Sequence, residues 1–158
     1  MRHPFATLAA AAALTLAASL APAAERGEAK VTLAGKKIVI DYGRPALAGR
    51  DMLSRLPDGQ PWRMGADADT TLRTDADLMF GSVAIPKGEY VLTAKRSGVG
   101  KWTLVATGGG KEIEVPLTEQ KLPASVELFT IDLGGKGNSG QLTTKWQTLQ
   151  LSAPFTAK

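Results

Sequence analysis

The chain has 158 residues, a formal charge of +4, no cysteine and one histidine. That histidine, His3, lies in the first 24 residues, so the rest of the chain carries neither imidazole nor thiol. This excludes Ser-His-Asp and Cys-His catalysis, His or Cys metal sites, haem ligation through His, and disulfides. Carboxylates, Lys, Tyr, Ser/Thr and oxygen-ligated cations are the chemistries that remain.

The opening stretch, MRHPFATLAAAAALTLAASLAPAA, has Arg2 near its start, an uncharged Ala/Leu run and small residues at its end. It reads as a cleavable signal peptide over residues 1–24, with Ala21-Pro22-Ala23 supplying the small-x-small pattern and cleavage after Ala23 or Ala24. A mostly Ala run inserts weakly, and no basic cluster follows it, so no transmembrane segment is expected after cleavage. The expected location is periplasmic or extracellular. Residues 25–158 are expected to form one domain, long enough to bury a core without covalent staples. Loss of Arg2 lowers the charge to +3, with acids and bases interspersed, which gives no reason to expect nucleic acid as a partner.

Period-two alternation broken by Gly, Pro and Asp dominates from there on. Strands are expected in KVTLA (30–34), KKIVIDY (36–42), DTTLRT (69–74), DLMFGSVAI (77–85) and GEYVLTAKR (88–96). They continue with KWTLVAT (101–107), KEIEVPL (111–117), SVELFTIDL (125–133) and QLTTKWQTLQLSA (141–153). Only RDMLSRL (50–56) reads as helical. The predicted fold is all-β, a single antiparallel β-sandwich of about nine strands.

Two glycine-rich loops invite a nucleotide reading that their context denies. GKGNSG (135–140) spells G-x-G-x-x-G, but a strand-like alternation follows where a helix is required, and the chain ends 18 residues after Gly140. GGGK (108–111) has Glu112 where a phosphate loop needs Ser or Thr. No cofactor is expected.

The charge types are unevenly distributed. Residues 41–77 hold seven of the eight aspartates and five of the seven arginines that follow residue 24, with no Lys and no Glu. Asp and Arg form directional, often bidentate hydrogen bonds, whereas Lys and Glu are the solvated default. The segment between the strands ending near Tyr42 and starting near Asp69 is long for a compact domain. Such a connection needs internal ties, with Trp62 and Met64 plugging it into the core, or else it carries a polar binding surface. Asp67-x-Asp69 begins like a calcium loop, yet Thr71, Leu72 and Leu78 occupy positions where the EF-hand needs oxygen ligands or Gly, so no metal site is assigned. A glycosidase-like pair drawn from Asp41, Asp67 and Asp69 would need a separation that spacing does not reveal.

DYGRPALAGR (41–50), PWRMGAD (61–67) with Thr70 and Thr71, IPKGEYVL (85–92), WTLVAT (102–107) and WQTLQLSAPF (146–155) together resemble one exported bacterial family, DUF2911. The resemblance runs in order over nearly all of the chain after the signal peptide. It implies a single β domain and an exported location, and it carries no activity. Members often read G-A-N-E-A-T where this chain has Gly65-Ala66-Asp67-Ala68-Asp69-Thr70, a rearrangement that a catalytic site would tolerate poorly.

The candidate ligand-binding patch is Asp41, Tyr42, Arg44, Trp62, Arg63, Asp67, Asp69 and Thr70, because an aromatic beside Arg and Asp is how sugars, carboxylates and peptides are held. No residue is assigned a catalytic role. The expected function is a non-catalytic binding or scaffolding domain of the cell envelope, monomeric, acting on an envelope ligand or protein partner. The alternative is a carboxylate-dependent hydrolase acting on a glycan or another envelope substrate.

Overall fold

A computed structural model describes residues 23–158; the signal-peptide expectation for residues 1–22 lies outside them. The described chain is built almost wholly of strands: β1 (Glu25–Leu33), β2 (Lys36–Arg44), β3 (Thr71–Thr74), β4 (Leu78–Phe80), β5 (Val83–Ile85), β6 (Gly88–Gly98), β7 (Lys101–Gly108), β8 (Lys111–Lys136) and β9 (Ser139–Ala157). All neighbouring strands are antiparallel, in the order β1-β2-β3-β6-β7-β8-β9-β4-β5. The helical reading of residues 50–56 shrinks to one 3-10 turn, Leu53–Arg55. No helix among the described residues is long and apolar enough to cross a membrane.

Alternation explains most of this. In β2 the side chains of Ile38, Ile40 and Tyr42 are buried, while Lys37 and Asp41 point the other way. β1 and β2 are joined by Ala34-Gly35, both with positive φ (49° and 72°), the two-residue hairpin whose twist matches the flanking strands.

The nine strands differ in two places from the nine runs expected, and the differences offset one another. DLMFGSVAI is two strands, because Gly81 takes a φ of 63° and turns the chain so that Phe80 pairs with Val83. KEIEVPL and SVELFTIDL are one strand, because β8 runs through Pro116 and Pro123 and absorbs the interruption as register shifts between Lys121, Val126 and Thr130. Proline on a polar, exposed stretch reads as a break. Here it marks a bulged, solvent-facing middle of a strand whose two ends enter the core.

The sheet is continuous and curls back on itself. Beyond β2, Leu47 N donates to Glu127 O (3.0 Å) and Phe129 N donates to Pro45 O (3.0 Å); Ala34 N donates to Gly137 O (2.9 Å). These bonds lay the β1–β2 end against β8, and all strands share one apolar core. At its centre Phe129 is fully buried, with its ring 5.7 Å from Tyr42, 5.3 Å from Trp62 and 5.8 Å from Trp146.

Candidate functional site

The connection between β2 and β3, residues 45–70, crosses one end of the curled sheet and brings with it most of the candidate patch. Backbone bonds fix it at two short bridges, Ala46 with Leu128 and Trp62 with Ala94, and where Gly59 N donates to Arg96 O (2.6 Å) and Leu92 N to Thr70 O (2.8 Å). Side chains add further ties. Arg50 Nε and Nη2 donate to Leu47 O and Ala46 O, both at 3.0 Å. Arg96 Nη2 donates to Leu56 O (2.6 Å) and its Nε to Asp58 Oδ1 (2.5 Å). Arg63 Nη2 donates to Asp67 O (2.5 Å) and pairs with Asp69 at 3.4 Å. The planar, multi-donor guanidinium suits this work, because it satisfies loop carbonyls that have no ladder partner.

Gln147 ties the connection from the far side. It sits in β9 with a φ of 53°, opposite the bulge of β8. Inward-facing residues are even-numbered before it (Leu142, Thr144, Trp146) and odd-numbered after it (Leu149, Leu151, Ala153), so one extra residue reverses the faces of the strand. Its Oε1 accepts from Met52 N (3.1 Å) and Leu53 N (3.3 Å), and its Nε2 donates to Asp51 Oδ1 (3.0 Å). The hydrogen bond from Gln147, followed by those from Ser54 and Leu53, holds the Asp51 carboxyl below its ordinary value of 3.8.

The turn at residues 64–67 is strained and pinned. Met64, Gly65 and Asp67 have φ of 53°, 153° and 63°. Met64 is fully buried, and the buried Thr70 hydroxyl donates to its carbonyl at 2.7 Å. The turn lies so close to β2 that a Cβ on Gly43 would come within 2.2 Å of Ala66 O, which only glycine avoids.

Under this connection lies a cleft of about 400 Å³. All three tryptophans of the chain line it: Trp62 from the connection, Trp102 from β7 and Trp146 from β9. Trp62 lies parallel to Trp146 in an offset stack (6.0 Å, 4°) and meets Trp102 edge-on (6.1 Å, 67°). Arg50, Arg63 and Arg96 also line the cleft, and none of the described lining residues is acidic. The Arg96 guanidinium lies 5.8 Å from the Trp102 ring centroid. Arg50 has no ion-pair partner among the described residues. Trp102 Nε1 donates to Glu119 Oε2 (2.5 Å), whereas Trp146 Nε1 is the one buried side-chain polar atom without a partner among the described residues. A second depression, about 260 Å³, lies over β3 and β6 beside the exposed Arg73–Glu89 ion pair. It has no comparable aromatic wall.

The structure divides the eight candidate residues into three groups. Trp62 and Arg63 line the cleft. Asp67, Asp69 and Thr70 form the turn beside it, with Asp67 Oδ2 accepting from Ala24 N (2.7 Å) and Asp69 facing Arg63. The remaining three belong to the wall of the sheet. Tyr42 is buried, its hydroxyl 3.3 Å from Ile131 O; Arg44 binds Phe129 O (3.3 Å) and Thr130 Oγ1 (3.1 Å); Asp41 pairs with Arg26 on the outer face. Asp41, Asp67 and Asp69 do not line the cleft. No group of three carboxylates suited to a metal ion occurs among the described residues.

Trp102, Trp146, Arg50 and Arg96 also line the cleft, although strand alternation and the polarity of the connection carry no mark of it. The one signal that pointed to them was scarcity. The chain has only three tryptophans, each placed where strand parity turns it inward or where the long connection needs a plug.

No curated protein and no solved structure matches the chain. The family model "Protein of unknown function (DUF2911)" matches residues 24–155, from the residue before β1 to Phe155 near the end of β9. By that match over most of its length, this chain belongs to the DUF2911 family.

Proposed function

We propose that this protein is an exported, non-catalytic binding domain of the cell envelope whose tryptophan-lined cleft takes a ligand with a flat or apolar ring and an anionic group. The observation that carries the reading is the convergence of all three tryptophans with three arginines in one cleft that has no acidic lining residue. The half-buried Trp62 indole offers flat apolar area at little entropic cost, backed by the buried Trp102 and Trp146, and guanidinium groups recognise carboxylate, phosphate or sulfate in a planar, bidentate manner. A sugar bearing an acidic group and an aromatic acid both meet that description. Arg50 adds a positive charge without a carboxylate of its own among the described residues. The Arg2, Ala/Leu and Ala21-Pro22-Ala23 pattern supports export.

Binding is favoured over carboxylate hydrolysis because Asp41, Asp67 and Asp69 are each engaged elsewhere, by Arg26, the Ala24 amide and Arg63. A hydrolytic pair must flank the bond it cleaves. The test is a screen of purified protein against glycans, envelope extracts and small organic acids, read by tryptophan emission. A saturable change with anionic, ring-bearing compounds, lost in Arg50→Ala, is expected. Turnover of any of these compounds that Asp67→Asn abolishes would overturn the non-catalytic reading.

A further inference from the structure

The geometry points to Ala23–Ala24 as the bond cut on export and to Asp67 as the carboxylate that captures the new amino terminus. The small-x-small pattern Ala21-Pro22-Ala23 fits cleavage after Ala23, whereas cleavage after Ala24 would place Pro22 at its first small position. The fold adds a partner for the nitrogen that this cut would free. Ala24 N donates to Asp67 Oδ2 at 2.7 Å across 43 residues of sequence, whereas cleavage after Ala24 would remove this donor altogether. Ala23 is exposed and Ala24 partly so, and the first strand begins only at Glu25, so the bond lies just outside the sheet.

Hydrolysis of that bond by a signal peptidase consumes one water, leaves a carboxylate on Ala23 and converts the Ala24 nitrogen from a neutral amide into an ammonium. The hydrogen bond already in place then becomes charge-assisted, a shorter and stronger class of contact. Asp67 is prepared for this role. Its φ of 63° is a conformation that a non-glycine residue keeps only where its surroundings hold it, and Arg63 Nη2 holds its carbonyl at 2.5 Å. Arg26 continues the same seam, with Nη1 3.4 Å from Ala68 O and Nη2 on Asp41. Processing therefore latches β1 onto the turn at residues 64–67, directly after Trp62 and Arg63 of the cleft wall. The Asp67 carboxylate is a receptor for the chain's own terminus.

The latch is independent of what the cleft binds, and one set of exported proteins tests it. The full chain is expressed with its native leader and purified, and the mass of the product gives its first residue. A second chain carries Ala-Gly-Ser-Gly inserted between Ala23 and Ala24, which keeps the leader but moves the new ammonium away and leaves a neutral amide at Ala24. Each is also made as Asp67→Asn. The wild-type product should begin at Ala24, and the insertion should lower its melting midpoint by about 2 to 4 °C. In the Asp67→Asn background that difference should vanish. A product beginning at Glu25, equal midpoints for wild type and insertion, or an insertion effect undiminished by Asp67→Asn would each overturn the proposal. Should Asp67→Asn fail to fold, the mass and the wild-type-against-insertion comparison still decide.

Discussion

The curled sheet and the connection at residues 45–70 are held by different forces. The sheet is fastened by continuous antiparallel ladders and by side chains such as Ile38, Ile85, Leu151 and Phe129, which are buried to the last few per cent. The connection is fastened by three arginines, Gln147 and Thr70 acting on backbone groups, and it contains three residues with left-handed or otherwise positive φ within four positions. Apolar burial is non-directional and spread over many contacts; a polar tie is directional and lost one bond at a time. The sheet therefore behaves as the scaffold and the connection as the wall that shapes the cleft, the usual division between rigid elements and functional loops.

The largest effect is expected where the two regions meet. Phe129→Ala removes the ring that touches Tyr42 of the sheet and Trp62 of the connection, and should cost about 3 to 5 kcal/mol in denaturant unfolding. Thr70→Val should cost about 1 to 3 kcal/mol, because it leaves the Met64 carbonyl buried without its donor, and loss of the cleft should accompany the loss of stability. Gln147→Ala frees the Met52 and Leu53 amides and should cost about 1 kcal/mol. In hydrogen exchange it should speed residues 51–56 while leaving β6 and β7 unchanged; if β6 and β7 exchanged faster too, the two regions would be one cooperative unit.

The smallest effect is one of pH. Because its hydrogen bonds lower the folded value of Asp51 below 3.8, the unfolded chain takes up this proton first as the solution is acidified. The contribution is complete above about pH 4 and disappears as the pH falls through the lower folded value. Protection of residues 51–56, relative to the intrinsic exchange rate at each pH, should fall over that acidic range, and Asp51→Asn should remove the fall.

The same contrast governs what could be read from the chain beforehand. Strands such as KKIVIDY and KWTLVAT declare themselves by alternation, which needs only local order. The fusion into β8 was hidden by Pro123 and a polar middle, and the face reversal at Gln147 was hidden because a non-glycine residue with positive φ leaves no local mark. For the site, the concentration of Asp and Arg in residues 41–77 is consistent with either a tied connection or a polar binding surface, and the structure shows Arg50, Asp58 and Arg63 of that segment engaged in ties. Its aromatic floor was not legible, since Trp102 and Trp146 meet Trp62 only after the sheet curls. Asp41 and Tyr42 lie beside Arg44 in sequence, yet strand alternation sends Asp41 outward and Tyr42 inward, so neighbours in sequence do not share a site.

The most direct measurement is calorimetric titration of the native protein with anilinonaphthalene sulfonate, a ring-bearing anion of the kind this cleft should accept. We expect one site per chain, quenching of tryptophan emission on binding, and at least tenfold weaker binding, about 1.4 kcal/mol, in both Arg50→Ala and Trp62→Ala. Failure to bind, or binding that neither substitution weakens, would contradict the assignment of this cleft as the functional site.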